Sequence, residues 1–255
     1  MAEHRDLWPK AFAVFPPLRC PTCHIGVLTL VEKSLTTQMS AGSRSDMDSI
    51  ETYEAFMDNR RFVAMLVCSR RQCQEAVAVC GDTHENIYYD QDGGLDHHTM
   101  YGPRMMLPGP PLATIPPGTP KPVVDALQKG FSLFWADLGS AANKLRVAAE
   151  RILDHQKIKR TTINRARKRV PLMFAARIGI YEAKKPGQKG MLTALRWIGN
   201  EGSHAGDLDR EDVLTGFELM QAGLTDLYGS DHKKDLARRM KSIVARRGRP
   251  RKARR

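Results

Sequence analysis

The apolar positions change their period along the chain. Between residues 15 and 90 they fall in short stretches, Val27–Val31, Phe62–Val67 and Ala76–Val79, each beside a cysteine-containing turn, which predicts short strands. Ser40–Asn59 interrupts them with a polar, acidic run (Asp46, Asp48, Glu51, Glu54, Asp58), read as an insertion with one helical turn around Ile50–Phe56. Residues 102–122 hold eight prolines and three glycines, too many for a helix or a central strand, and predict an extended linker.

Beyond that stretch the period becomes helical. Val124, Leu127, Phe131, Phe134 and Leu138 form one face, with Pro122 near the first helical position and Gly139 closing the segment. Leu145, Ala149, Ile152 and Leu153 line a second helix, and further helices are expected over about Pro171–Lys184 and Gln188–Gly199. The last, about Arg210–Tyr228, turns Val213, Phe217, Met220, Leu224 and Leu227 inward, with Asp209 placed as its N-cap. The fold class expected is α+β: a small β-rich, zinc-ribbon-like module over 1–101, an insertion at about 40–59, a linker over 102–122, an α-helical bundle over 123–229 and a disordered basic tail over 230–255.

Charge sharpens the last boundary. The net charge of +12 is uneven: from Lys233 onward twelve Lys/Arg meet one acid, Asp235, whereas the remaining chain holds 28 basic against 27 acidic residues. The body is near neutral and the basicity belongs to the tail. No apolar run approaches the length of a membrane span, and the first twenty residues lack the pattern of a secretory signal, so a cytoplasmic protein with no membrane association is expected. In a reducing compartment, paired cysteines at short spacing point to metal rather than to disulfides.

Cys20-Pro-Thr-Cys23 is a well-formed knuckle, and Cys68-Ser-Arg-Arg-Gln-Cys73 is a looser partner. Two such turns present four thiolates to one ion, the arrangement of a closed structural Zn2+ site. Cys80 in place of Cys73, or His24 or His84 in place of a thiolate, stay open as alternatives.

Near the other end, Arg196, Asn200 and His204 recur every four residues and drift by about 80° around a helix, so they share one broad face. Arg146 and Glu150 form an i,i+4 pair on an earlier helix. Arg196 pairing with Glu150 across helices is the structural alternative to an active face. Lys144-Leu145-Arg146 with Glu150, then Leu195-Arg196-Trp197-Ile198-Gly199-Asn200 with Gly202 and His204, and the closing amphipathic helix ending at Tyr228 resemble the domain of unknown function 4145 family. The resemblance covers about Pro103 to Tyr228, and members of that family also carry a Cys-Pro-x-Cys knuckle. It implies a HEPN-like helical domain, a group that includes dimeric, metal-independent ribonucleases of toxin and antiphage systems as well as members that only bind nucleotides or partners. On that likeness His204 would act as general acid/base, Arg196 would stabilise phosphate charge and Asn200 would orient one of them. Seven residues lie between Arg196 and His204, a longer gap than the group's pattern.

The tail segment Arg246-Arg247-Gly248-Arg249-Pro250-Arg251-Lys252 resembles an AT-hook, whose Gly-Arg-Pro core lies in a narrow minor groove. Together these features predict a nucleic-acid-associated protein of a bacterial defence or toxin type with a ribonuclease-like helical domain, acting as a homodimer or beside a partner encoded nearby. The competing expectation is a non-catalytic DNA-binding or adaptor protein whose bundle mediates dimerisation. A small-molecule enzyme is disfavoured, because the chain has no phosphate-binding glycine loop, dinucleotide fingerprint or nucleophile elbow.

Overall fold

The computed structural model describes residues 8–50, 59–89, 94–202 and 208–246. The chain divides into two compact units, residues 1–111 with 128–141, and residues 112–127 with 142–255. Among the described residues no helix is long and apolar enough to cross a membrane.

The first unit is built on an antiparallel sheet of five strands: β1 (Leu28–Leu30), β2 (Thr36–Met39), β3 (Arg60–Cys68), β4 (Ala76–Tyr89) and β5 (Leu95–Leu107). β1 and β2 both pair with β3, at its C-terminal and N-terminal ends respectively, and β4 and β5 follow on its other side. The two-residue alternation of a half-buried strand is plain in β3, where Phe62, Ala64, Leu66 and Cys68 are buried while Val63 and Met65 face outward. Val77 and Val79 of β4 and Met106 of β5 lie in the same core. Phe12, Phe15, Phe62 and Tyr101 pack ring against ring on this sheet, with centroids 4.9–6.2 Å apart.

One expectation changes here. Residues 102–107, read as the start of a linker, are the second half of β5. Their proline is tolerated because β5 is an edge strand. Tyr101 turns its N–H outward to the Phe12 carbonyl, so Pro103, two residues on, lacks a donor only on that outer edge. Opposite it the register shifts between Cys80 and Gly81, a bulge that only glycine permits, since a Cβ on Gly81 would lie 2.1 Å from the Gly102 carbonyl oxygen. The insertion opens with α1 (Ala41–Ser49), which Ser40 caps by accepting from the Ser43 N–H; the helical turn expected around Ile50–Phe56 falls mostly on residues 51–58, outside the described residues.

The helices are α2 (Lys121–Ala136), α3 (Leu138–His155), α4 (Phe174–Lys184), α5 (Lys189–Glu201) and α6 (Arg210–Arg246). The break between α2 and α3 falls at Asp137 and not at Gly139. The Asp137 carboxylate accepts from both the backbone N–H and the hydroxyl of Ser140, capping α3, and those bonds hold its carboxyl below the usual range. In the second unit a short hairpin, β6 (Thr161–Ile163) and β7 (Arg169–Pro171), joins α3 to α4, so Pro171 ends a strand and α4 begins at Phe174. Leu145, Ala149, Ile152, Leu153, Ile178, Tyr181, Leu192, Leu195, Val213, Phe217, Met220 and Leu224 are its core.

The largest departure is at the chain's end. The expected disordered tail is helical through Arg246, because α6 runs without a break over 37 residues. Lys and Arg are good helix formers, and positive charge at a helix C-terminus complements the macrodipole.

Candidate functional site

The cysteine centre grows from two tight turns on neighbouring strands. The first turn is closed by the Cys20 N–H donating to the Gly26 carbonyl and by the Leu28 N–H donating to Leu18. The second turn joins β3 to β4, with the Cys68 N–H on the Glu75 carbonyl and the Cys73 N–H on the Arg70 carbonyl. The residue after each second cysteine, His24 (φ 55) and Gln74 (φ 49), adopts the left-handed conformation that reverses the chain.

These turns bring the sulfurs of Cys20, Cys23, Cys68 and Cys73 within 4.8 Å of one another. Cys20 Sγ lies 3.7 Å from Cys73 Sγ, and Cys23 Sγ lies 3.6 Å from Cys68 Sγ. Such spacings are far longer than a disulfide bond, at about 2.05 Å, and they fit four sulfurs arranged around one central ion. The group could therefore bind a metal ion through the four cysteines expected. Among the described residues neither His24, His84 nor Cys80 joins it.

The surroundings suit anionic sulfur. The Gly26 N–H donates to Cys23 Sγ at 3.3 Å, and the Arg70 N–H reaches Cys68 Sγ at 3.5 Å. The Gly26 donor, aided by Ile25, pulls the Cys23 thiol down to about 6, while burial pushes Cys20 up to about 12 and raises Cys68. Gly26 itself was not singled out by its sequence. A Cβ there would stand 2.4 Å from Cys68 Sγ and 3.0 Å from Arg70 Cγ, so the closeness of the two turns requires glycine.

The second candidate site lies on the helices. Arg146 on α3 donates through Nη1 to Asn200 Oδ1 on α5 at 2.6 Å, and through Nε to Glu150 at 3.4 Å. The helices meet closely because Gly199 faces Arg146: a Cβ on Gly199 would lie 2.5 Å from Arg146 Cβ and 3.2 Å from the Ala142 carbonyl oxygen. Asn200 is thus a partner of Arg146, and Glu150 pairs with Arg146 where Arg196 had been the alternative. The Arg196 guanidinium instead stacks on the ring of Trp197 at 4.5 Å, with its Nε buried and without a hydrogen-bond partner among the described residues. His204 lies outside the described residues, as do Arg247, Gly248, Arg249, Pro250, Arg251 and Lys252; Arg246 is the last residue of α6.

A third polar group went unread in the sequence. Arg177 on α4, only 5% exposed, donates through Nη2 to Asp154 at 2.7 Å and to the Ile158 carbonyl at 3.2 Å, and Arg160 also donates to Asp154. Burial alone would raise the Asp154 carboxyl, but the hydrogen bonds and charges of Arg160 and Arg177 outweigh it and hold the group below the ordinary carboxylate range. This group ties α3, the hairpin approach and α4 together, which is a structural role.

The molecule therefore combines a sheet unit carrying a four-cysteine cluster that could bind a metal ion with a helical unit cross-tied by arginines. Residues 128–246 match the family described as Domain of unknown function (DUF4145), the family that stretch resembles in sequence. Residues 12–106 match a second family, described as Domain of unknown function (DUF8608), whose span takes in both cysteine turns and nearly all of the sheet. No curated protein and no solved structure matches the chain significantly.

Proposed function

We propose that this chain is a nucleic-acid-binding protein made of a zinc-ribbon-like sheet unit and a HEPN-like helical unit with a basic end. The observation that carries the reading is the extension of α6. Twelve of the residues from Lys233 onward are Lys or Arg against one acid, and within that stretch the helix presents Arg238 and Lys241 to solvent. A charged helix of this kind binds phosphate backbones by releasing counterions, so its affinity falls steeply with salt. Deleting residues 233–255 should abolish salt-sensitive binding of a labelled duplex or single strand. Binding that survives the deletion unchanged would refute the assignment.

Zinc is the metal the centre suits. A tetrahedral zinc with sulfur ligands at about 2.3 Å sets its sulfurs about 3.8 Å apart, close to the 3.6 and 3.7 Å separations here. Soft thiolates in a tetrahedron select zinc or iron–sulfur centres, and four protein ligands leave no open position, so the ion would serve structure and not chemistry. Cys20, Cys23, Cys68 and Cys73 would hold it.

A second reading is metal-independent RNA cleavage by the helical unit, of the kind found in bacterial defence and toxin systems; that setting rests on the family likeness alone. The observation favouring it is Arg196, whose guanidinium stacks on Trp197 and has no carboxylate partner among the described residues. Against it stands Asn200, already engaged by Arg146. Purified protein incubated with labelled RNA in EDTA decides the matter. Cleavage that Arg196→Ala and His204→Ala abolish supports catalysis; no cleavage by the wild type, or equal cleavage by the variants, removes it.

A further inference from the structure

Three tryptophans are present, and two are sheltered: Trp8 is 7% exposed and Trp135 is 4% exposed. Trp197 is 55% exposed. Burying an indole brings a large gain, so an indole left in water on an ordered helix calls for an explanation. The helix itself does not supply one. α5 buries Leu192, Leu195 and Gly199. Trp197, two residues past Leu195, points roughly 200° away from it on the helical circle. It is not among the core residues.

One face of that ring is already occupied by a cation. The Arg196 guanidinium lies 4.5 Å from the ring centroid, and among the described residues it has no ion-pair partner. The adjacent turn fixes the base of the pair, since Asn200 is held by Arg146 and Gly199 is pressed against α3. A rigid aromatic plane, open on one side and flanked by a guanidinium with no counter-charge among the described residues, matches what an unpaired nucleotide presents: a flat base to stack and a phosphate to neutralise.

We propose that Arg196 and Trp197 form a stacking platform for an unpaired base of single-stranded nucleic acid, with the indole taking the base and the guanidinium its phosphate. This rests on the nucleic-acid-binding reading above and deepens it, because a basic helix alone would not distinguish single strands from duplexes. A partner protein would be the other occupant of an exposed indole. The positive charge of Arg196 beside it favours an anionic ligand.

The test uses the full chain and reads tryptophan emission, which the exposed Trp197 makes sensitive to a bound base. An unlabelled single-stranded oligoadenylate should quench the emission, whereas a duplex of the same length should bind without quenching. In parallel, fluorescence anisotropy of a labelled oligoadenylate reports affinity independently. Trp197→Leu should remove the quench and weaken single-strand binding by roughly 5- to 150-fold, the effect of losing one stacked base. Trp197→Phe should keep most of the affinity, and its folding is secured by the exposure of the site. Binding by anisotropy without quenching, or with Trp197→Leu unchanged, would overturn the platform and leave the nucleic-acid reading standing. No binding by wild type at low salt would defeat that reading and the platform with it. Emission that shifts with protein concentration alone would assign the indole to contact between copies and overturn the proposal.

Discussion

At the cysteine centre, four thiols from two turns meet within 4.8 Å and receive backbone N–H donors. At the α3–α5 contact, Arg146 reaches Asn200 and Glu150, and each group finds its partner inside the protein. Both sites join residues distant in sequence, and both depend on a glycine that admits close approach. The difference lies in what remains unsatisfied. Arg146 with Asn200 closes on itself as a structural tie. The cysteines do not: sulfurs at 3.6–3.7 Å make neither a disulfide nor a strong mutual hydrogen bond, and two of the three shifted thiols are pushed up by burial. A cluster that needs something else to complete it is the better evidence for a ligand.

The largest effect expected is at the cysteine centre. Strong chelation, or Cys20→Ser with Cys68→Ser, should remove the metal and abolish cooperative unfolding of the sheet unit, while the helical unit keeps its own transition; calorimetry resolves the two. Sheet stability indifferent to chelation would place the cysteines among ordinary buried residues.

The helical unit should respond next to loss of its Asp154 tie. Asp154→Ala leaves the buried Arg177 without its counter-charge and should cost about 3 kcal/mol, measured by urea unfolding. Because the folded Asp154 carboxyl is held below its ordinary value, its contribution is present above that value, about 3.9, and is lost as pH falls through the folded one. The wild type should therefore lose stability in acid over that window, and Asp154→Asn should lack that component.

Gly199→Ala should destabilise by about 2 kcal/mol, because its Cβ would sit 2.5 Å from Arg146 Cβ and force α3 and α5 apart despite the better helix propensity. Asn200→Ala should be mildest, about 1 kcal/mol, since it removes one hydrogen bond and leaves Arg146 its salt bridge to Glu150. A variant at Asn200 that folds normally yet loses a measured RNA-cleaving activity would move this residue from tie to active site.

The cysteine pairs were legible because ligand spacing is local: a knuckle is a property of four to six residues. The helices were legible by period, down to the inward face of α3 and most of that of α6, where Leu227 is only half-buried and Tyr228 is buried beside it. What escaped depended on pairing across the fold. Residues 102–107 carry linker composition, and only the bulge opposite Pro103 and its edge position make them a strand. Gly26 and Gly199 look like ordinary turn and helix glycines until the neighbouring chain is in place. The basic stretch after Tyr228 reads as a tail by charge, although its residues are good helix formers and α6 simply continues through them to Arg246. Arg146 could be paired with Glu150 from spacing, but its second bond to Asn200 crosses 54 positions.

Native mass spectrometry of the full chain, purified without added metal or chelator, tests the central claim most directly. One zinc ion per chain, lost in acid and absent from Cys20→Ser with Cys68→Ser, is the result expected. A metal-free chain, or one lighter by the hydrogens of disulfide bonds, would contradict it.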